Sequence, residues 1–198
     1  MEEPECEVNG LVDVLSKGLV RYFKLDCGGP GLDMCVQRHP NGLLVLGLAP
    51  SHCLLQPAAA HVAKVQYRDD MSENEAFGKR GRGGAVVTPW TVLADVTLED
   101  GRHIEVLACI EARLIELNNS LREDPGLLQT CPDDQGFVAI LQPKRVQDVP
   151  RLLANLLTSS GYVQARPGMH ETSPYKLCGA SGPAWASWQA KAPADTKK

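Results

Sequence analysis

Chemistry in this chain would have to come from its seven cysteines and five histidines, or from one basic run, Lys79-Arg80-Gly81-Arg82-Gly83-Gly84. Cys35 and His39 fall beside one predicted turn and His52-Cys53 follow soon after, a set whose sulfur and imidazole donors suit zinc. Such sites announce themselves by paired ligands at close spacing, and neither Cys-x-x-Cys nor His-x-x-x-His occurs. No metal centre is expected; buried thiols and a satisfied core histidine are. For nucleophilic catalysis, His103 and Cys109 share a strand face, but six residues of extended chain separate them by about 20 Å, beyond hydrogen-bond reach. Ser51 and His52 are adjacent and would point apart on an extended strand. No carboxylate pair is set at a glycosidase-like separation. The expectation is a non-catalytic protein without a cofactor.

The basic run is the remaining candidate. Arginine and lysine on flexible glycine supply charge without a fixed fork, which suits association rate better than a specified geometry. Lys79, Arg80 and Arg82 could meet an acidic protein surface, contact RNA as a short Arg-Gly element, or form part of a nuclear-import signal. They could equally be a solvated loop balancing Asp69, Asp70, Glu73 and Glu75. A phosphate-binding loop is excluded, because Lys79 lacks the preceding glycine spacing and is followed by neither Ser nor Thr.

What could position such residues is bounded by composition. With 198 residues, 43% of them hydrophobic, the chain can bury one substantial core and is expected to form one domain with tails. Its net charge of −4 does not draw it to phosphate as a whole, so any nucleic-acid contact would be local. The amino terminus, Met1-Glu2-Glu3-Pro4-Glu5, is acidic, nothing after it resembles a secretory core, and no apolar run approaches the ~18 residues of a membrane span. The unevenly spaced cysteines read as reduced intracellular thiols with no disulfide-linked partner.

The elements follow from periodicity. Leu11, Val12, Leu15, Leu19, Val20 and Phe23 approach helical spacing and predict a short amphipathic helix, broken at Gly28-Gly29-Pro30-Gly31. Leu32 to Arg38 and Leu43 to Leu48 read as strands around His39-Pro40-Asn41-Gly42, where Asn-Gly is a strong hairpin signal. Val62 to Tyr67 alternates as a strand, and Arg68 to Gly84 reads as an exposed loop. Val92, Ala94, Val96 and Leu98 share one face, Glu99-Asp100-Gly101 turns, and Ile104, Val106 and Ala108 return. In Ile110 to Leu117 the apolar phase slips, which predicts a bulge or a strand buried on both faces. Asp148 as N-cap, Pro150 in the first turn and the stripe Val149, Leu152, Leu153, Leu156, Leu157 predict a helix of about three turns ending near Gly161. Residues from Arg166 onward are too poor in periodic apolar positions to fold alone, and Trp185 and Trp188 read as sticky residues in a loose tail. The expected organisation is a disordered acidic segment over 1–10, a domain over 11–162 and a largely disordered tail over 163–198.

Glu116-Leu117-Asn118, the helical turn Leu121 to Pro125, Asp133-Asp134 and Gly136-Phe137 before a final strand resemble the second half of a glycine-cleavage H-protein. That resemblance implies a mainly β barrel-sandwich hybrid with short flanking helices, the fold of lipoyl carriers. It sets the lipoyl hairpin tip at Glu99-Asp100-Gly101-Arg102. No lysine lies between Lys79 and Lys144, and arginine cannot form the lipoamide, so the swinging-arm role is lost.

A second resemblance spans more of the chain. It rests on Leu11-Val12-Asp13, Cys35-Val36-Gln37-Arg38-His39, Leu48-Ala49-Pro50-Ser51-His52 with Leu55-Gln56, Gly78-Lys79-Arg80-Gly81, Asp100-Gly101, Gly136-Phe137-Val138-Ala139 and Leu141-Gln142-Pro143-Lys144. In that order they are similar to the Abitram family of actin-binding transcription modulators, also called Simiate. Arg21-Tyr22-Phe23, Gly84-Ala85 and the tail after Gly161 depart from it. The resemblance implies a non-lipoylated H-protein-like domain that binds actin monomers and filaments in nucleus, including nuclear speckles, and cytoplasm, with no membrane association. An RNA-contacting nuclear factor using the Arg/Gly loop, or one that meets other nuclear proteins, and an accessory protein of a lipoyl-dependent system are the alternatives.

Overall fold

The computed structural model describes residues 19–68 and 84–169. Its first three strands, β1 (Val20–Lys24), β2 (Met34–Arg38) and β3 (Leu44–Leu48), form an antiparallel meander. The β2–β3 turn falls at the Asn-Gly signal: Gly42 takes φ 89°, and Asn41 Oδ1 accepts the Leu43 N–H at 3.0 Å. β4 (Val62–Tyr67) follows, then β5 (Val86–Val87), the hairpin of β6 (Val92–Leu98) and β7 (His103–Leu107), and β8 (Ala112–Leu117). Two four-residue helices, α1 (Ser120–Glu123) and α2 (Leu127–Thr130), lead to β9 (Ala139–Gln142). The chain continues through α3 (Val149–Leu153), β10 (Leu157–Thr158) and α4 (Ser159–Ala165). Among the described residues, one sheet has the order β10-β1-β2-β3-β9-β8-β5 and the other β4-β6-β7. As expected, the fold is mainly β and antiparallel, with short helices at its margins.

The two sheets share one core, to which β2 and β3 contribute Met34, Val36, Leu44, Leu46 and Leu48, and the smaller sheet Val65, Tyr67, Ala94, Val96 and Leu98. The phase slip in β8 is a bulge: Leu114 pairs with Leu141 and Glu116 with Ile140, leaving Ile115 as the extra residue. Asn118 then holds the turn after β8 by donating to Gln135 O at 2.6 Å and Phe137 O at 2.8 Å, while Tyr67 O–H donates to Asn118 O at 2.9 Å. Gly136 is required there, since a Cβ would collide with the Leu127 carbonyl oxygen. Gln129 of α2 pins the connection before β4, donating to Leu54 O and Ala60 O and accepting from Val62 N–H.

Several expectations from sequence are corrected. Val20 to Phe23 is strand, because β2 and β10 flank it and take up its backbone groups; Leu11 to Gly18 lies outside the described residues. The helix from Val149 stops at Leu153, since Leu157 leaves the apolar stripe to pair with Phe23. Asp148 makes no side-chain cap. Gly161 sits inside α4, and Arg166, read from sequence as the start of the tail, is tied back to the sheet by ion pairs to Asp26 and Asp33. Among the cysteines, Cys27, Cys35, Cys53 and Cys109 are free thiols, but Cys131 is disulfide-bonded, which an odd cysteine count does not preclude. No helix of the described residues is long and apolar enough to cross a membrane.

Candidate functional site

The β6–β7 hairpin tip forms where the sequence places it. Leu98 N–H donates to Arg102 O at 2.9 Å, Gly101 N–H donates to Leu98 O at 3.0 Å, and Gly101 takes φ 84°. The Asp100 carboxylate accepts from Arg102 N–H at 3.0 Å and from Arg102 Nε at 2.7 Å. Those bonds, the backbone one foremost, hold its carboxyl below the ordinary value. Glu99 N–H donates to His61 O at 2.9 Å. The tip is an exposed turn whose guanidinium is paired to its neighbour and which offers no amine for acylation. Behind it the outer face of the small sheet is polar: Arg68 pairs with Asp95 and with Glu105, each at 3.1 Å, and Thr97 Oγ1 contacts His103 Nδ1 at 3.1 Å.

The candidate catalytic and metal-binding residues are accounted for structurally. His52 is buried, and burial pushes its imidazole down to about 4, so it is neutral and its Nδ1 accepts the Leu54 N–H at 3.1 Å. It is the satisfied core histidine expected from sequence. Burial pushes the Cys35 thiol up to about 12, which keeps it protonated. Among the described residues no three His, Cys, Asp or Glu side chains are grouped to hold a metal. Ser51 Oγ donates to Asp33 at 2.5 Å and accepts from Tyr162 O–H at 2.8 Å. Asp33 also accepts from Asp26 N–H at 2.7 Å and from Arg166 at 2.8 and 3.0 Å. Burial alone would raise this carboxyl; the hydrogen bonds from Arg166, Ser51 and Asp26 outweigh it and hold it below its usual value. The cluster fastens α4 to the β1–β2 connection, helped by Tyr162 stacking on Phe23 at 4.0 Å.

Two clefts share part of their lining. The first, about 620 Å³, is lined by the exposed Val86 and Val146 together with Lys144, Arg145 and Arg151. The second, about 540 Å³, shares Glu111, Arg151 and Leu152 with it and adds Trp90, exposed by 73%, and the thiols Cys27 and Cys109. Lys79, Arg80 and Arg82 lie outside the described residues.

Comparison with solved structures gives a glycine cleavage system H protein from Mycobacterium marinum, with TM-score 0.51 and 18% identity over 73% of this chain and 94% of that one. This likeness shows the barrel-sandwich hybrid fold, as the β8-to-β9 motif implied. Among curated proteins, Protein Abitram of Gallus gallus is 32% identical over 147 residues, covering 72% of this chain and 84% of that protein. The chain belongs to the Abitram family. Abitram proteins of Bos taurus and Homo sapiens are 30% and 28% identical, covering 80% and 81% of this chain and 85% and 90% of theirs. No protein-family model matches the chain.

For this member of the Abitram family, the tip Glu99-Asp100-Gly101-Arg102 was readable as a hairpin because its turn residues are local. The clefts were missed, since Trp90, Lys144 and Arg151 are scattered in sequence and only the fold assembles them. The one signal available was Trp90 itself, a large apolar residue in a Pro-Trp turn with no strand partner to cover it.

Proposed function

We propose that the chain is a non-catalytic adaptor that binds monomeric and filamentous actin and acts in nucleus and cytoplasm. Membership of the Abitram family carries this reading. Two features of the molecule support it: the hairpin tip has no lysine to bear lipoate, and the first cleft offers apolar and basic side chains to an acidic surface. Lys144, Arg145 and Val146 stand exposed together in its lining, a mixture of charged and apolar side chains that suits a contact surface.

The purified chain is expected to pellet with filamentous actin and to retard monomeric actin on a native gel; absence of both overturns the proposal. Replacing Lys144 and Arg145 together by Glu is expected to weaken pelleting by about tenfold, the equivalent of ~1.4 kcal/mol. Alanine at Lys79, Arg80 and Arg82 tests the basic loop separately. Expressed beside lipoate ligase, the intact protein should keep its unmodified mass, and an added lipoyl mass would restore the carrier reading.

A further inference from the structure

Cys27 lies in the β1–β2 connection and Cys109 in the corner between β7 and β8, yet their sulfurs are 2.8 Å apart. Neither is bonded to the other, and both are buried to 5% exposure at the wall of the cleft that Trp90 borders. The backbone around them is built for this approach. Ile110 N–H donates to Ala108 O at 2.8 Å, so Cys109 is the middle residue of a three-residue turn, and it takes φ 64° there. A residue with a Cβ rarely adopts that conformation, and such strain persists only where the surroundings impose it. On the other side, Gly28 at φ 93° brings its backbone so near Leu107 that an added Cβ would stand 3.0 Å from Leu107 Cδ1. A strained turn at Cys109 and a close-packed turn at Gly28 thus bring together two sulfurs 82 residues apart in sequence.

We propose that Cys27 and Cys109 form a redox-active dithiol that small disulfides of the glutathione class oxidise to an intramolecular disulfide. The Cys27 thiolate attacks one sulfur of glutathione disulfide, breaking its S–S bond and releasing one glutathione thiolate. Cys109 then gives up its proton and attacks Cys27 Sγ, which expels the second glutathione thiolate and forms the Cys27–Cys109 bond. Two electrons pass to the glutathione disulfide, and the two thiol protons end on the two glutathiones. The hydrogen bond from Cys109 lowers the Cys27 thiol against the cost of burial, with help from Lys24, whereas the same bond and burial raise Cys109. That division makes Cys27 the attacking sulfur and Cys109 the resolving one. Closing the bond needs the sulfurs to approach by only about 0.8 Å.

The full chain would be incubated with glutathione disulfide, quenched in acid, alkylated with a maleimide, digested and mapped by mass spectrometry. The expected product is a linked Cys27–Cys109 peptide, two hydrogens lighter than the separate peptides and reversed by dithiothreitol. Both cysteines remaining fully alkylated, or glutathione retained on either without linkage, overturns the proposal. One equivalent of phenylarsine oxide should protect both thiols of the reduced chain from alkylation, and protection of one or neither counts against the pair. Where it folds, Cys109→Ser should stall with one glutathione on Cys27.

Discussion

The β1–β2 connection and the β6–β7 tip use the same local chemistry to opposite effect. Each has a positive-φ glycine, a carboxylate accepting a nearby backbone N–H, and an Asp–Arg ion pair. At the tip, Asp100 and Arg102 are two residues apart and exposed, so their pairing ties the turn only to itself. In the β1–β2 connection, the Asp33 side chain is wholly buried and its Arg166 lies 133 residues away. The lesson is that a salt bridge acquires structural weight from burial and from the span of chain it closes.

The contrast is broken most directly at the carboxylates. Asp33→Ala removes two of the three hydrogen bonds of Arg166, leaving it only Asp26, and leaves Ser51 and the Asp26 N–H without their acceptor; it should cost about 2–4 kcal/mol in urea unfolding. Asp100→Ala should leave the midpoint unmoved, and equal losses at the two sites would erase the distinction.

The glycines give the next largest difference. Gly28→Ala meets both a positive φ and the Leu107 side chain, and should cost about 2 kcal/mol. Gly101→Ala meets only the positive φ, with open space around it, and should cost about 1 kcal/mol.

The smallest effect is in pH dependence. Because the folded Asp33 pKa is depressed, its contribution is complete above the unfolded value near ~3.9 and is lost as the pH falls through the lower folded value. Stability measured down this acid limb should fall, and Asp33→Asn should flatten the fall.

What the sequence reveals follows the same division. The Asn41-Gly42 hairpin, the Glu99-to-Arg102 tip and the β8 bulge were legible because turn residues and a phase slip are local signals. Val20 to Phe23 was misread because short apolar runs fit helical and extended spacing alike, and the pairing with β2 and β10 that decides between them is non-local. Leu157 was misassigned for the same reason. At the candidate sites, the missing lysine was visible by inspection, whereas the Cys27–Cys109 contact depends on two connections that periodicity cannot align. Arg166 looked like the start of a tail because nothing in its neighbourhood announces Asp33.

The terminal strands of the larger sheet, β5 and β10, are each two residues long. A sheet that ends in such stubs presents little unpaired backbone for another chain to add to, a common defence against edge-to-edge aggregation. β10 covers only Tyr22 and Phe23 of β1, and α4 packs beside it. A chain cut before Leu157 would bare that border, and self-association should then limit its solubility before loss of the core limits its folding.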